Sequence, residues 1–204
     1  MKNKKVFILS LGIILLIFII FFCIYYYKTN KIGNTMINKS EEEIINYILN
    51  IKSYNAKMDI TVETNKNKTK YVVTQSLENF ISKQEVIEPT NIAGVITEYD
   101  GTNLKIRNNR LNLENTFQNY QYIVNNKLWL NAFIEDYKND KNTKSITNKD
   151  NEIIVEVKNN ENEYNFYKKL YIDKKTAKPI KLIIQDVNQK TLVYILYTEI
   201  TISK

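Results

Sequence analysis

Two carboxylate pairs, Glu98 with Asp100 and Glu135 with Asp136, are the residues best spaced for chemistry. A glycosidase sets one such group as acid and the other as nucleophile or base. The first pair falls in a hairpin signal and the second on a helical pattern. Lysines and acids are mixed around both, so both read as solvated faces and catalysis is not expected. The chain has no histidine. That removes serine and cysteine triads, histidine acid/base chemistry and histidine-ligated zinc. The single cysteine, Cys23, lies in an apolar run, so the remainder holds no thiol for a disulfide or a metal. Only Gly94 and Gly101 fall in residues 40–204, so no glycine-rich phosphate cradle exists. No cofactor and no metal site is expected.

Those residues must be held by elements, and the first is a candidate membrane element. Lys2, Lys4 and Lys5 precede an uncharged run from Val6 to Tyr27. A helix needs about 20 apolar residues to cross a bilayer core, and this run is long enough. Lysines before it mark the cytoplasmic side, so the rest should lie outside the cytoplasm. Tyr25, Tyr26 and Tyr27 suit the far interface. Cys23 carries two readings: a lipidated cysteine, which normally follows small residues, or a membrane-buried cysteine of an uncleaved anchor. Phe22 before it departs from the lipoprotein pattern.

The formal charge is +7. Three of those charges precede Val6 and no acid lies in residues 1–27, leaving +4 (7 minus 3) for the remainder. Lysines and acids are interspersed there, and only Arg107 and Arg110 are arginines. No basic stripe forms, so nucleic acid is not a partner.

Residues 28–39 are polar and aperiodic, a linker. Ser40 and Glu43 make a capping-box pattern, and Ile44, Ile45, Ile48 and Leu49 follow at helical spacing. From Tyr54 the period changes to two: Tyr54, Ala56, Met58, Ile60 and Val62 alternate with polar residues, as in a half-buried strand. Strands are also expected through Tyr71–Leu77 and Ile81–Ile87. Val95–Tyr99 and Leu104–Ile106 flank Asp100-Gly101, a hairpin signal. Leu128, Trp129, Ala132, Phe133 and Tyr137 mark a helix, with Asn125 or Asn126 as its cap. Residues 138–151 read as a polar loop. Four strands end the chain: Ile153–Val157, Tyr164–Ile172, Ile180–Val187 and Leu192–Ile202. The sum predicts an α+β domain over residues 40–204, a curved antiparallel half-barrel sheet wrapped on helices, behind the anchor or signal segment of residues 1–27.

This arrangement resembles the lipoprotein-carrier (LolA/LolB-like) superfamily. The matching features are the helix before the alternating strand Tyr54–Glu63, the Tyr99-Asp100-Gly101 hairpin, the helix after Asn125-Asn126, and the strand Pro179–Leu182 feeding a final hairpin. Within the superfamily the chain most resembles the spore germination lipoproteins of the GerS type. The resemblance rests on the basic anchor ending in Cys23, the Asn/Lys-rich composition and the strand order. It implies a non-enzymatic, membrane-held partner of a cell-wall N-acetylmuramoyl-L-alanine amidase, needed for muramic-lactam formation in cortex peptidoglycan and so for germination. The location implied is the spore membrane facing the cortex.

The residues supply their own argument for docking. On the last four strands Leu170, Ile172, Ile180, Leu182, Ile184, Leu192, Tyr194, Leu196 and Ile200 are expected to form the core face. The opposite face then carries Tyr167, Tyr171, Ile183, Val187, Val193, Ile195 and Tyr197, where polar residues would be usual. An exposed face of that kind marks an interaction surface unless a loop or helix covers it. Tyr167, Tyr171, Ile183, Ile195 and Tyr197 are the candidate partner-binding residues. The alternative function is a lipid or lipoprotein carrier, with Trp129, Phe133 and Phe117 lining an acyl cavity rather than filling a core. Open edge strands also invite homodimerisation by strand exchange.

Overall fold

A computed structural model describes residues 39–120, 128–139, 141–159 and 166–203. The chain divides between Lys39 and Ser40 into two units, and the fold is that of the second. The anchor run with Cys23, nearly all of the linker and the expected Asn125/Asn126 cap lie outside the described residues. Among the described residues no helix is long and apolar enough to cross a membrane.

Helix α1 (Glu41–Leu49) begins with the capping box that the sequence predicts: Glu43 N–H donates to Ser40 Oγ (3.2 Å), and Ser40 N–H donates to Glu43 Oε2 (2.7 Å). Its buried stripe is Ile44, Ile45 and Ile48. The strands that follow are β1 (Ser53–Glu63), β2 (Lys68–Glu78), β3 (Ile81–Glu88), β4 (Val95–Tyr99), β5 (Leu104–Asn108) and β6 (Leu113–Phe117). Helix α2 (Leu130–Lys138) intervenes. Then come β7 (Thr143–Lys149), β8 (Glu152–Lys158), β9 (Tyr167–Asp173), β10 (Lys178–Gln185) and β11 (Thr191–Ser203). All belong to one antiparallel sheet ordered β6-β5-β4-β3-β2-β1-β11-β10-β9-β8-β7. Two meanders therefore meet where the first strand pairs with the last.

One face of the sheet packs on the helices. Tyr54, Met58, Ile60, Leu170, Ile172, Leu182, Ile184 and Ile195 from the sheet meet Trp129, Leu130 and Phe133, all at 1% exposure or less. Helix α2 is fixed at both ends by polar contacts. Asn131 Nδ2 donates to Ser82 Oγ on β3 (3.1 Å), and Lys168 on β9 pairs with Asp136. Lys168 is buried, so its charge is tolerated only because Asp136 answers it. Trp129 itself is the cap residue of α2, and no side-chain hydrogen bond caps the helix there. Burial of the indole, rather than a polar cap, fixes where α2 starts.

Two strands differ from the sequence reading. Residues 138–151 are not simply a loop, because β7 occupies Thr143–Lys149, and β6 adds a sixth strand to the first meander. Both are edge strands, exposed at every position. An edge covering no core needs no apolar alternation, so neither left a periodic signal.

Candidate docking face

The sheet's outer face, away from the helices, changes character across its width. Over β2–β6 it is charged. Arg107 donates to Glu98 at 2.7 Å, with Lys83 at 3.9 Å from the same carboxylate, and Lys105 meets Glu114 at 2.9 Å. A polar groove of about 390 Å³ near the β1–β11 seam is lined by residues such as Lys57, Thr74, Lys83, Glu85 and Glu199.

Over β8–β11 the outer face is tyrosine and aliphatic. Pairing places Ile154, Tyr171, Lys181 and Leu196 in one row across the strands. The next row is Glu156, Lys169, Ile183 and Tyr194. A third holds Lys158, Tyr167 and Gln185. All of these side chains are half-buried by their neighbours. Lysines lie over the rings: Lys181 Nζ is 4.1 Å from the Tyr171 centroid, and Lys169 Nζ is 5.6 Å from that of Tyr167. Cation–π contacts at such range contribute about 0.5–1 kcal/mol at exposed sites. Lys169 also meets Glu156 at 2.9 Å. Past Leu196 and Tyr194 the apolar strip ends at Asp59 and Thr61 of β1, beside a groove of about 320 Å³.

Three of the five candidate residues, Tyr167, Tyr171 and Ile183, stand on this face. Ile195 and Tyr197 do not: they face the helices, at 0% and 7% exposure. The reason is a register shift. Ala56 pairs with Ile200, but Met58, two residues along, pairs with Tyr197, three residues back. A bulge there inserts one residue in β11 and reverses its phase, with Thr198 Oγ1 donating to the Lys57 carbonyl (3.0 Å). Ile200 is inward as expected. Before the bulge, however, Val193, Ile195 and Tyr197 turn inward, while Tyr194, Leu196 and Leu192 leave the core face. Every residue from Leu192 to Tyr197 is apolar or tyrosine, so alternation alone could not have found the shift. A similar irregularity between Pro179 and Lys181 turns Pro179 inward and leaves Ile180 half-buried. Tyr194, Leu196 and Ile154 are the face residues that sequence reasoning missed. Burial raises the Tyr197 phenol pKa, and its hydroxyl has no hydrogen-bond partner among the described residues.

The candidate carboxylates have structural duties. Glu98 is held by Arg107 and Lys83. Asp100 accepts from the backbone N–H of Asn103 (2.7 Å) and of Thr102 (2.9 Å), which hold its pKa below the usual carboxylate value. Asp136 is paired with Lys168, and Glu135 is exposed. The proposed cavity residues separate as well. Trp129 and Phe133 are fully packed as core, whereas Phe117 lies on the β6 edge at 42% exposure.

Among the described residues, eleven antiparallel strands in one sheet, covered on one face by two helices and carrying tyrosines on half of the other, make up this fold. The chain belongs to the family described as sporulation protein YdcC-like, whose pattern matches residues 9–204. No curated protein is significantly similar to it. Among solved structures it is similar to an uncharacterized conserved protein from Thermus thermophilus. That match has 10% identity and a TM-score of 0.51, and covers 81% of this chain and 89% of that one. It is also similar to a chain of the complex between the CwlD amidase from Clostridioides difficile and the GerS lipoprotein, with 21% identity, a TM-score of 0.46, and coverage of 82% and 95%. A LolA superfamily protein from Nitrosomonas europaea matches with 11% identity, a TM-score of 0.40, and coverage of 81% and 94%.

Proposed function

We propose that this chain is a non-catalytic binding protein of the sporulating cell, held outside the cytoplasm by residues 1–27. Its work is to dock a cell-wall N-acetylmuramoyl-L-alanine amidase during formation of the muramic-lactam mark in cortex peptidoglycan. The observation that carries the reading is the outer face of β8–β11, where Ile154, Tyr167, Tyr171, Ile183, Tyr194 and Leu196 stand among lysines. Tyrosine and aliphatic surface of this kind is typical of protein interfaces, and the lysines fit a partner with acidic rim residues. Membership of a sporulation family supports a role in the sporulating cell. The resemblance of the sequence to the germination lipoproteins supplies the class of partner. Packing of Trp129 and Phe133 as core favours docking over acyl-chain carriage.

The test is deletion in the organism that makes it, followed by muropeptide analysis of the cortex. The expected result is cortex lacking the lactam, with spores that form but do not germinate, restored by the wild-type chain. Cortex with its normal lactam content would overturn the reading.

A further inference from the structure

Phe80 is 89% exposed, the most exposed large apolar residue among those described. It sits at the tip of the β2–β3 hairpin with Asn79, both at positive φ (66° and 50°). Asparagine accepts that conformation readily, but a phenylalanine there is strained by roughly 1 kcal/mol or more. The ring recovers nothing by packing, since it meets solvent, and its neighbour Ile81 is 47% exposed. Glycine or asparagine would serve the turn better, so the apolar side chain is unexplained by the fold.

The tip is not isolated. Ser82 pairs with Tyr99 and Leu104 with Phe117, so the end of β6 lies at the same end of the sheet as the tip. Phe117 and Tyr120, 42% and 37% exposed, stand there with ring centroids 6.3 Å apart. The described fold also begins at this end. Ser53, the first residue of β1, pairs with Ser203, and Tyr54 with Leu77, just before the tip. Glu41, next to Ser40, lies 3.3 Å from Lys174 in the β9–β10 turn, again at this end. Between Tyr27 and Ser40 lie residues 28–39, which reach at most about 40 Å when extended.

We propose that this end of the sheet seats on the lipid surface of the membrane that holds residues 6–27, with Phe80 and Ile81 inserted at the headgroup–acyl boundary and Phe117 and Tyr120 beside them. Phenylalanine and tyrosine favour that boundary, where an apolar ring is buried and polar atoms stay wet. A tether of that reach raises the effective concentration of the domain at the bilayer, so a small apolar area is enough to hold the tip there. The inference rests on the anchor in the proposed function but not on the identity of the partner.

The test uses the full chain reconstituted in vesicles of phosphatidylglycerol and phosphatidylethanolamine in equal parts, with and without brominated acyl chains. The only native tryptophan is the fully buried Trp129, which gives a constant background. Phe80→Trp reports on the tip, and Lys66→Trp reports on the β1–β2 turn at the opposite end. The expected result is a blue-shifted Phe80→Trp signal that loses about half its emission to bromine, as a ring sunk roughly 5–10 Å below the headgroups should, with Lys66→Trp unchanged. A chain that floats with the vesicles while both tryptophans stay unquenched keeps the anchor and overturns this proposal. A chain that does not float removes the anchor, and this proposal with it. Shielding of Phe80→Trp without lipid, rising with protein concentration, would assign the tip to a second copy. Shielding only on addition of amidase would assign it to that partner. Either result overturns membrane seating. Phe80→Asn should leave thermal unfolding unchanged or slightly higher, which separates the ring's role from folding.

Discussion

The two halves of the sheet share a topology but not a surface. Both are antiparallel meanders with one face on the helices. Outside, the first half pairs charge with charge: Arg107 and Lys83 on Glu98, Lys105 on Glu114. Partly exposed pairs of this sort contribute about 0–1 kcal/mol each and mainly keep the sheet soluble. The second half instead places Tyr171, Tyr194, Ile183 and Leu196 outside, with Lys181 and Lys169 over tyrosine rings. A half that needed only solubility would look like the first. That difference is what the docking proposal rests on.

The largest expected effect checks which side of β11 is which. Ile195→Asp buries an unpaired carboxylate at a position with no exposure and should cost about 3 kcal/mol or more. Tyr194→Ser, next to it on the outer face, should cost about 1 kcal/mol or less. Equal shifts in denaturant midpoint would mean that the bulge has been placed wrongly and that the comparison fails. A smaller effect of opposite sign belongs to Tyr197. Its buried hydroxyl lacks a partner among the described residues, so Tyr197→Phe should stabilise by about 1 kcal/mol. The sign with pH follows from the raised pKa of the folded phenol. The neutral form is favoured in the fold, so its stability is fully present below the unfolded value of about 10 and declines as pH rises beyond it. Urea midpoints between neutral and strongly alkaline pH should fall less steeply for Tyr197→Phe than for wild type, and identical slopes would contradict the assignment. The smallest effect is Glu98→Gln, which should change stability by less than about 1 kcal/mol and leave partner binding untouched.

Much of this was legible in the residues. The Ser40–Glu43 box, the alternation from Tyr54 to Ile60 and the Asp100-Gly101 hairpin each mark an element directly, because each is set by local chemistry. The outer placement of Tyr167, Tyr171 and Ile183 was also readable, since β9 and most of β10 keep a regular period of two. Elsewhere the signal was absent for physical reasons. Strands β6 and β7 bury nothing, so no pattern constrains them. The phase of β11 depends on an extra residue opposite Lys57–Met58, and a uniformly apolar run carries no mark of it. Tyr194 and Leu196 therefore exchanged sides with Ile195 and Tyr197.

The most direct measurement is calorimetric titration of the proposed amidase partner into three forms of the protein: wild type, Tyr171→Ser with Tyr194→Ser, and Glu98→Gln with Lys105→Ser. Truncating interface tyrosines can cost ~2 kcal/mol or more, so the tyrosine pair should weaken binding by at least about 30-fold. Its thermal unfolding should move little, and the charged-face pair should bind as wild type does. Binding that survives loss of both tyrosines but fails when Glu98 and Lys105 are changed would place the partner on the other half of the sheet and contradict the account.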